Sequence, residues 1–186
     1  MVGNEYFLVN YPLSINIELL GEHENIPDAE EFERRIPAPF RMASEIASID
    51  SQALQPLKLN NETTQALWGF LQAQNQKINT LLSYVLSQQD DEKCRYQTTA
   101  FSAGCCIFVC DNETFNIGQH ALLKIFIPEE SAALFCYATV TNIDKNQIEL
   151  TYQQIREEDR ELLIRTTLHI QSKQLKLRAA QRAQSI

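Results

Sequence analysis

The chain has 186 residues, of which 44% are hydrophobic and 22% are charged, and its formal net charge is -8. These proportions are ordinary for a folded soluble protein. Because non-specific binding to nucleic acid needs a basic surface, the acidic balance predicts no nucleic-acid partner. The sequence contains no secretory signal pattern and no apolar run of membrane-spanning length. We therefore expect a cytoplasmic protein without membrane insertion.

The cysteines predict a reducing compartment and no metal site. Their odd number and the absence of a CxxC pair favour free thiols. None of the three histidines lies at ligand spacing from a cysteine, so a metal centre is not indicated. Four cysteines fall in strand-like runs, where cysteine commonly acts as a small buried apolar residue. The five cysteines are Cys94, Cys105, Cys106, Cys110 and Cys136.

Residues 1–60 predict a strand followed by short helices. Ile15, Ile17 and Leu19 alternate with polar residues, which is typical of a half-buried strand. We leave open whether this strand lies at a sheet edge. Asp28 can cap a first short helix, which Pro37 ends, and a second short helix is predicted from Phe40 to Ile49.

A basic cluster surrounds the end of the first short helix. Its members are Arg34, Arg35 and Arg41. The cluster either binds an anion or is a solvated surface that pairs with Glu30, Glu31 and Glu33. We favour the second interpretation, because exposed charge runs usually form solvated faces.

Residues 61–90 carry the clearest helical pattern of the sequence, which begins at Asn60 or Asn61 and runs to about Gln89. A seam with spacings of 4, 3, 4, 3 and 4 residues follows the heptad rule of coiled coils. Gln74 lies in the middle of this seam, where a polar residue can fix the register of an oligomer. The helix either self-associates or packs as a core helix on its own domain. The seam consists of Leu67, Leu71, Gln74, Ile78, Leu81 and Val85.

Residues 91–186 predict several short strands and one final helix. Strand-like runs cover Tyr96 to Phe101 and Cys105 to Cys110, and further alternating runs end near Tyr152. Their spacing predicts an antiparallel barrel or sandwich. The final helix begins near Arg156, with acidic residues in its first turn and basic residues toward its end, as the helix dipole favours.

The last half of the chain resembles the PilZ family in two segments. The run from Ile155 to Arg165, Ile-Arg-Glu-Glu-Asp-Arg-Glu-Leu-Leu-Ile-Arg, is similar to the acidic start and Leu-Ile-Arg run of the helix that ends PilZ domains. Phe101-Ser102-Ala103-Gly104 resembles the family's strand motif of Asp or Asn, any residue, Ser, two residues and Gly. The resemblance implies an α+β fold, namely an antiparallel PilZ-like β-barrel with a C-terminal helix and an inserted long heptad helix.

The resemblance also implies a link to cyclic di-GMP, the ligand of PilZ receptors. Ser102, Gly104 and Arg95 are the positions that it assigns to nucleotide binding. Ala100 stands at the acidic motif position, Cys105 stands at the last glycine position, and the family's paired arginines before the motif are absent. Because charged contacts hold such a ligand, these departures predict weak or no direct binding, with a non-standard binding mode as the alternative.

The heptad helix ahead of the motif resembles the atypical, tetrameric branch of the PilZ family. This resemblance implies a homo-oligomer, either a tetramer or a dimer, that acts as a bacterial signalling adaptor through protein partners. A purely structural homo-oligomer is a further alternative. We expect no enzyme, because no nucleophile-elbow pattern and no histidine–aspartate spacing accompany Ser102.

Overall fold

The computed structural model describes residues 6–21, 23–43, 62–111 and 114–184 of the chain. Within these residues the fold consists of a six-stranded antiparallel barrel, four α-helices and two short 3₁₀ helices, Glu92–Cys94 and Pro128–Glu130. The strands are β1 Ser14–Leu19, β2 Arg95–Phe101, β3 Cys105–Val109, β4 His120–Ile127, β5 Ala132–Asp144 and β6 Gln147–Gln154. The helices are α1 Ala29–Arg35, α2 at 38–43, α3 Glu62–Ser87 and α4 Glu157–Gln184. The predicted α+β barrel with an inserted long helix is confirmed.

The barrel is closed by its first strand. The strand order is β1-β2-β3-β6-β5-β4, and β1 pairs with both β2 and β4. Ile15 and Ile17 point into the barrel and are buried, as their alternation predicts. The possibility of an edge strand is excluded, because both sides of β1 form ladders. The helices α1, α2 and α3 therefore lie in an insertion between two hydrogen-bonded neighbours.

Two hydrophobic clusters hold the fold together. One fills the barrel and includes Leu123, Ile125 and Ile127 of β4 on alternating positions. The other lies outside the barrel, where Phe126 and Phe135 pack against residues of α1, α2 and α3. Strand β5 is consequently buried on both faces over most of its length. The outer cluster fixes the helical insertion on one side of the barrel.

The two short helices, α1 and α2, form where the sequence predicts them. Asp28 caps α1, since its carboxylate accepts the Glu31 N–H at 2.9 Å. Arg34 and Arg35 pair with Glu30 and Glu31 one turn before them, which agrees with a solvated surface rather than an anion site. Helix α2 begins two residues before the predicted start, and residues 44–49 of the predicted helix lie outside the described residues.

Among the described residues, helix α3 packs on the barrel through its last turns. It ends at Ser87, two residues before the predicted Gln89, and the predicted caps Asn60 and Asn61 lie outside the described residues. Leu82 and Leu86 are the buried residues among the described side chains of α3, and they belong to the outer cluster. The helix is about 39 Å long, given a rise of 1.5 Å per residue. Most of its length therefore extends beyond the packed cluster.

Buried Asn16 of β1 ties down the connection that follows α3. Its side-chain amide donates to Asp90 Oδ1 at 2.8 Å and to the Asp91 carbonyl at 3.2 Å. The side-chain oxygen of Asn16, Oδ1, accepts the Asp91 N–H at 2.7 Å. Arg95 Nε adds a hydrogen bond to Asp90 at 3.0 Å. We call Asn16, Asp90, Asp91 and Arg95 the junction network, because they join β1, the end of the α3 connection and the start of β2.

A second buried polar contact fixes the start of α4. Arg156 and Asp159 are both buried, and two hydrogen bonds of 2.8 and 2.9 Å join them. Arg156 also donates to the Phe40 carbonyl at 3.4 Å, which connects α4 to α2. Leu162, Leu163 and Ile170 of α4 then pack on the barrel cluster. Asp159, one of the acidic residues in the first turn of α4, therefore forms a buried ion pair with Arg156.

We predict that Asn16→Ala destabilises the fold by about 1–3 kcal/mol, because it leaves the Asp91 N–H and the Asp90 carboxylate without their buried partner. The free energy of unfolding from urea titrations measures this. Asn25→Ala, a change at an exposed asparagine, serves as the control and should alter it by less than about 0.5 kcal/mol. Equal stability of the two variants would contradict the structural role of Asn16.

Candidate functional site

The motif serine lies at the turn between β2 and β3 and is fully buried. Ser102 Oγ accepts the N–H groups of Gly104 at 3.0 Å and Cys105 at 3.1 Å. The Ser102 N–H donates to the Cys105 carbonyl at 2.8 Å, which closes the turn. The hydroxyl is therefore occupied by the backbone of its own turn, a common role of serine in tight turns.

The segment before β1 covers this turn. A Cβ on Gly104 would lie 3.0 Å from Cδ2 of Tyr6, so the glycine permits the ring to approach closely. Arg160 of α4 lies over the ring of Tyr6, with 5.6 Å between its Cζ and the ring centroid. Its Nη1 donates to the Ala103 carbonyl at 2.8 Å. Tyr6 and Arg160 thus occupy the surface of the motif turn.

The third residue of the predicted nucleotide site lies elsewhere. Arg95 begins β2 and Ser102 follows its end, so roughly 20 Å of extended strand separates them. Arg95 forms ion pairs with Asp90 at 3.0 Å and Glu92 at 3.8 Å. The hydrogen bond to Asp90 raises the pKa of its guanidinium above the ordinary value. The structure brings Ser102 and Gly104 together and places Arg95 in the junction network instead.

The remaining motif positions offer little to a charged ligand. Ala100 is buried and has no side-chain hydrogen-bonding group. Cys105 is also buried, and burial raises the pKa of its thiol above the ordinary value. The same cause raises the pKa of the Cys106 and Cys136 thiols. These thiols are held neutral, so they supply neither a charge nor a nucleophile at this end of the barrel.

The predicted heptad seam forms an exposed apolar surface along α3. Between 43% (Val85) and 66% (Leu81) of each apolar seam residue is accessible, and Gln74 is partly covered. At about 100° per residue the seam lies on one side of α3, and Leu82 and Leu86 point roughly 60–100° away from its centre. The helix therefore has two apolar faces, of which one packs on the barrel. The exposed large apolar residues are Leu67, Phe70, Leu71, Ile78, Leu81, Tyr84 and Val85.

The composition of α3 is unusual for an exposed helix. Its 26 residues include two charged ones, Glu62 and Lys77. The seven exposed apolar side chains amount to roughly 700 Å² of accessible surface if each exposes about half of a large side chain. Apolar patches of this size usually mark an interaction site. Cores of protein interfaces are similarly depleted in charge.

A cavity of about 220 Å³ lies between α3 and the barrel. Ser83, Leu86 and Ser87 line it from the helix, and Ser14 and Phe126 line it from the barrel. Ser14 Oγ is buried there without a hydrogen-bond partner among the described residues. The cavity is on the barrel side of α3, so it is separate from the exposed seam.

Two negative findings apply to the part of the chain that the structure describes. It contains no group of three or more histidine, cysteine or acidic residues placed to hold a metal ion. None of its helices combines the length and the apolar character needed to cross a membrane.

Sequence reasoning missed the residues that surround the motif. In the sequence, Tyr6 belongs to the apolar run Tyr6-Phe7-Leu8-Val9, which shows no alternation, and Arg160 is one basic residue in an acidic helix start. Asn16 was a polar residue on the outer face of a strand. Each acquires its role from a residue far away in the chain, such as Gly104, Ala103 or Asp90. No local pattern could have identified these contacts.

No protein-family model matches the sequence, and no curated protein does either. Similar solved structures include the Bacillus subtilis inhibitor of motility MotI/DgrA, at 14% identity and a TM-score of 0.48 over 91% of this chain. The chain spans about half, 52%, of the length of that structure. Another is a Xanthomonas campestris protein described as a new tetrameric PilZ domain self-assembled via an unusual helical bundle. It matches at 12% identity with a TM-score of 0.52, over 94% of this chain and 90% of that one.

The similarity to the Xanthomonas campestris structure concerns the fold. It covers nearly the whole of both chains, including the helical insertion between β1 and β2. The chain accordingly has an atypical PilZ-type fold, as the sequence resemblance implies.

We predict that Ser102→Ala destabilises the chain by about 1–3 kcal/mol, because two buried N–H groups lose their acceptor. The shift of the urea midpoint measures this loss. Ser172→Ala, at an exposed position of α4, is the matched control and should change stability by less than about 0.5 kcal/mol. A Ser102→Ala variant as stable as the control would show that the hydroxyl is available for another role.

Proposed function

We propose that this chain is a self-associating signalling adaptor with an atypical PilZ-type fold, which acts in cyclic di-GMP pathways through protein contacts. Direct binding of cyclic di-GMP is weak or absent. The observation that carries the proposal is the exposed apolar seam of α3. Its surface has the character of an interface, whereas the motif turn is buried and internally bonded.

Three properties of the seam support self-association. The seam together with the neighbouring Phe70 and Tyr84 exposes roughly 700 Å² of apolar side chain, which approaches the ~800 Å² that each partner buries in a standard interface. Its heptad spacing suits packing against another helix of the same spacing. The near absence of charge on α3 means that copies of the helix would meet with little electrostatic repulsion.

The attachment of α3 to the barrel also supports self-association. Leu82 and Leu86 hold its last turns on the barrel, and the junction network holds the connection after it. A helix fixed at one end presents its seam in a constant direction, which lowers the ordering cost of association. The Xanthomonas campestris structure of similar fold is described as a tetramer self-assembled via a helical bundle. We infer that α3 forms an equivalent bundle.

The state of the motif turn supports weak nucleotide binding. Ser102 Oγ already accepts two backbone N–H groups, and Tyr6 and Arg160 cover the turn. Arg95 is roughly a strand length away and is paired with Asp90. A bis-phosphate ligand needs arginine forks and unoccupied hydrogen-bonding groups. The described surface around the turn supplies Arg160 alone from this set, and its Nη1 is engaged with Ala103.

We predict that the native chain is a dimer or tetramer and that Leu71→Asp with Ile78→Asp converts it to a monomer. Each aspartate would place an unpaired charge in the centre of the helix contact, which is strongly unfavourable. Light scattering coupled to size-exclusion chromatography gives the mass of each variant.

The matched control places the same two residues, at the same spacing of seven, on the opposite side of α3. Ala73→Asp with Thr80→Asp changes exposed positions about 120–140° from the seam centre. It should keep the native mass. A monomeric native chain, or equal dissociation by both variants, would contradict self-association through the seam.

We also predict that isothermal titration of the native chain with cyclic di-GMP gives no binding in the micromolar range or tighter. The physical reason is the loss of charged contacts, each of which is commonly worth about 1.5–3 kcal/mol. A conventional PilZ receptor serves as the positive control for the ligand stock. Micromolar or tighter binding by this chain would contradict the adaptor proposal and would favour a receptor with a non-standard binding mode.

A further inference from the structure

The second half of α4 leaves the barrel surface. Leu162, Leu163 and Ile170 are buried against the barrel, but beyond Ile170 the exposed residues predominate. All described side chains from Leu175 to Arg182 are exposed on every side of the helix. About two turns of regular helix therefore project without packing on the described part of the chain.

This projecting segment is strongly basic in a chain of net charge -8. Residues 173–182, which we call the basic end of α4, contain four basic residues and no acidic one. Lys173 lies 3.9 Å from Glu129, which is an ion pair at the limit of contact. The other three form no ion pair with any residue that the structure describes. These three are Lys176, Arg178 and Arg182.

The helix dipole accounts for basic residues in the last turn, but the basic end is longer than one turn. Like charges one turn apart, such as Arg178 and Arg182, repel and weaken an isolated helix. A projecting helix whose basic residues lack compensating ion pairs gains no stability from those charges. The charge pattern therefore indicates a partner that brings negative charge.

The apolar residues of the segment indicate that this partner is not a membrane. Leu168 and Leu175 are exposed and lie seven residues apart on one side of α4. Leu177 is exposed on nearly the opposite side, about 200° from Leu175. No aromatic residue occurs in α4 after Glu157. The segment consequently lacks the single large apolar face with which interfacial helices enter a membrane.

The size of the basic end argues against a long polyanion. Ten helical residues span about 15 Å. A nucleic acid or a membrane is larger than this and would also face the acidic remainder of the chain. A short acidic protein segment can contact the basic residues and the leucine pair Leu168 and Leu175 without that repulsion. This is recognition by charge complementarity.

We propose that the basic end of α4, together with Leu168 and Leu175, is a docking surface for an acidic segment of a partner protein. This surface is separate from the α3 seam and does not depend on self-association. The partner would carry carboxylates that pair with Lys176, Arg178 and Arg182. Association would weaken with added salt, because the pairs are exposed.

The test uses a fluorescein-labelled peptide of 20 residues built from glutamate and alanine, and measures its fluorescence anisotropy with the full chain. A peptide without large apolar residues avoids capture by the α3 seam. We expect binding at about 50 mM salt that is lost near 300 mM, as screening of exposed charge pairs requires. No binding by the unmodified chain at low salt would overturn the proposal.

The variant Lys176→Gln with Arg178→Gln and Arg182→Gln should bind the peptide about tenfold more weakly. Glutamine keeps the helical preference of the segment, and circular dichroism verifies the fold. The single variant Arg182→Gln should show a smaller loss in the same direction. The control, Arg34→Gln with Arg41→Gln and Lys93→Gln, removes the same charge from exposed positions elsewhere and should bind as the native chain does. Equal loss in both triple variants would overturn the proposal.

Two further measurements test whether a membrane, a nucleic acid or a second copy of the chain binds the basic end of α4 instead of an acidic protein segment. Vesicles of phosphatidylcholine and phosphatidylglycerol, and a single-stranded DNA of 20 nucleotides, are titrated under the same conditions. Tighter binding to either would overturn the proposal in favour of that surface. Light scattering of the Lys176, Arg178 and Arg182 variant tests a second copy as the occupant. A native mass supports the proposal, and a lower mass than that of the control would overturn it whatever the state of the α3 seam.

Discussion

The hydrogen bonds of buried Asn16 are the constraint on which the arrangement of the molecule depends. They join the strand that closes the barrel to Asp90 and Asp91, just after the long helix. Because β1 and β2 are neighbours in the barrel, the chain between them must leave and return at nearly the same place. Asn16 fixes that point of return, and Leu82 and Leu86 fix the direction of α3 above it. The amide is buried, so water does not compete for its hydrogen bonds. Leaving its partners without a hydrogen bond would cost folding free energy.

Three surfaces of the protein differ in chemical character: the motif turn, the seam of α3 and the basic end of α4. The motif turn, where a PilZ-type receptor would hold its ligand, is closed by its own backbone bonds and covered by Tyr6 and Arg160. Helix α3 differs from this turn, because its large apolar residues are accessible while its last turns pack on the barrel. The basic end of α4 adds a surface of opposite character to the acidic remainder of the chain.

The elements of the fold could be predicted from local patterns, whereas their partners could not. The alternation of Ile15 and Ile17 identified β1, but only the pairing with β4 excluded a sheet edge. The heptad spacing identified α3 to within two residues at its end, since a helix is determined by contacts three and four residues apart. The family motif drew attention to Ser102 and Arg95 as a pair. Strand geometry separates them, and their hydrogen bonds belong to a turn and to the junction network. Asn16 and Tyr6 escaped notice because their contacts span some 75 and 98 residues of sequence.

Hydrogen–deuterium exchange of the α3 amides, measured over a hundredfold range of protein concentration, tests the central claim most directly. Association through the seam would protect the amides between Leu67 and Ile78 more strongly as concentration rises, because opening of the helix would then require dissociation. Amides of the barrel strands would show the same protection at every concentration and serve as the internal reference. Protection of α3 that does not change with concentration would contradict the account.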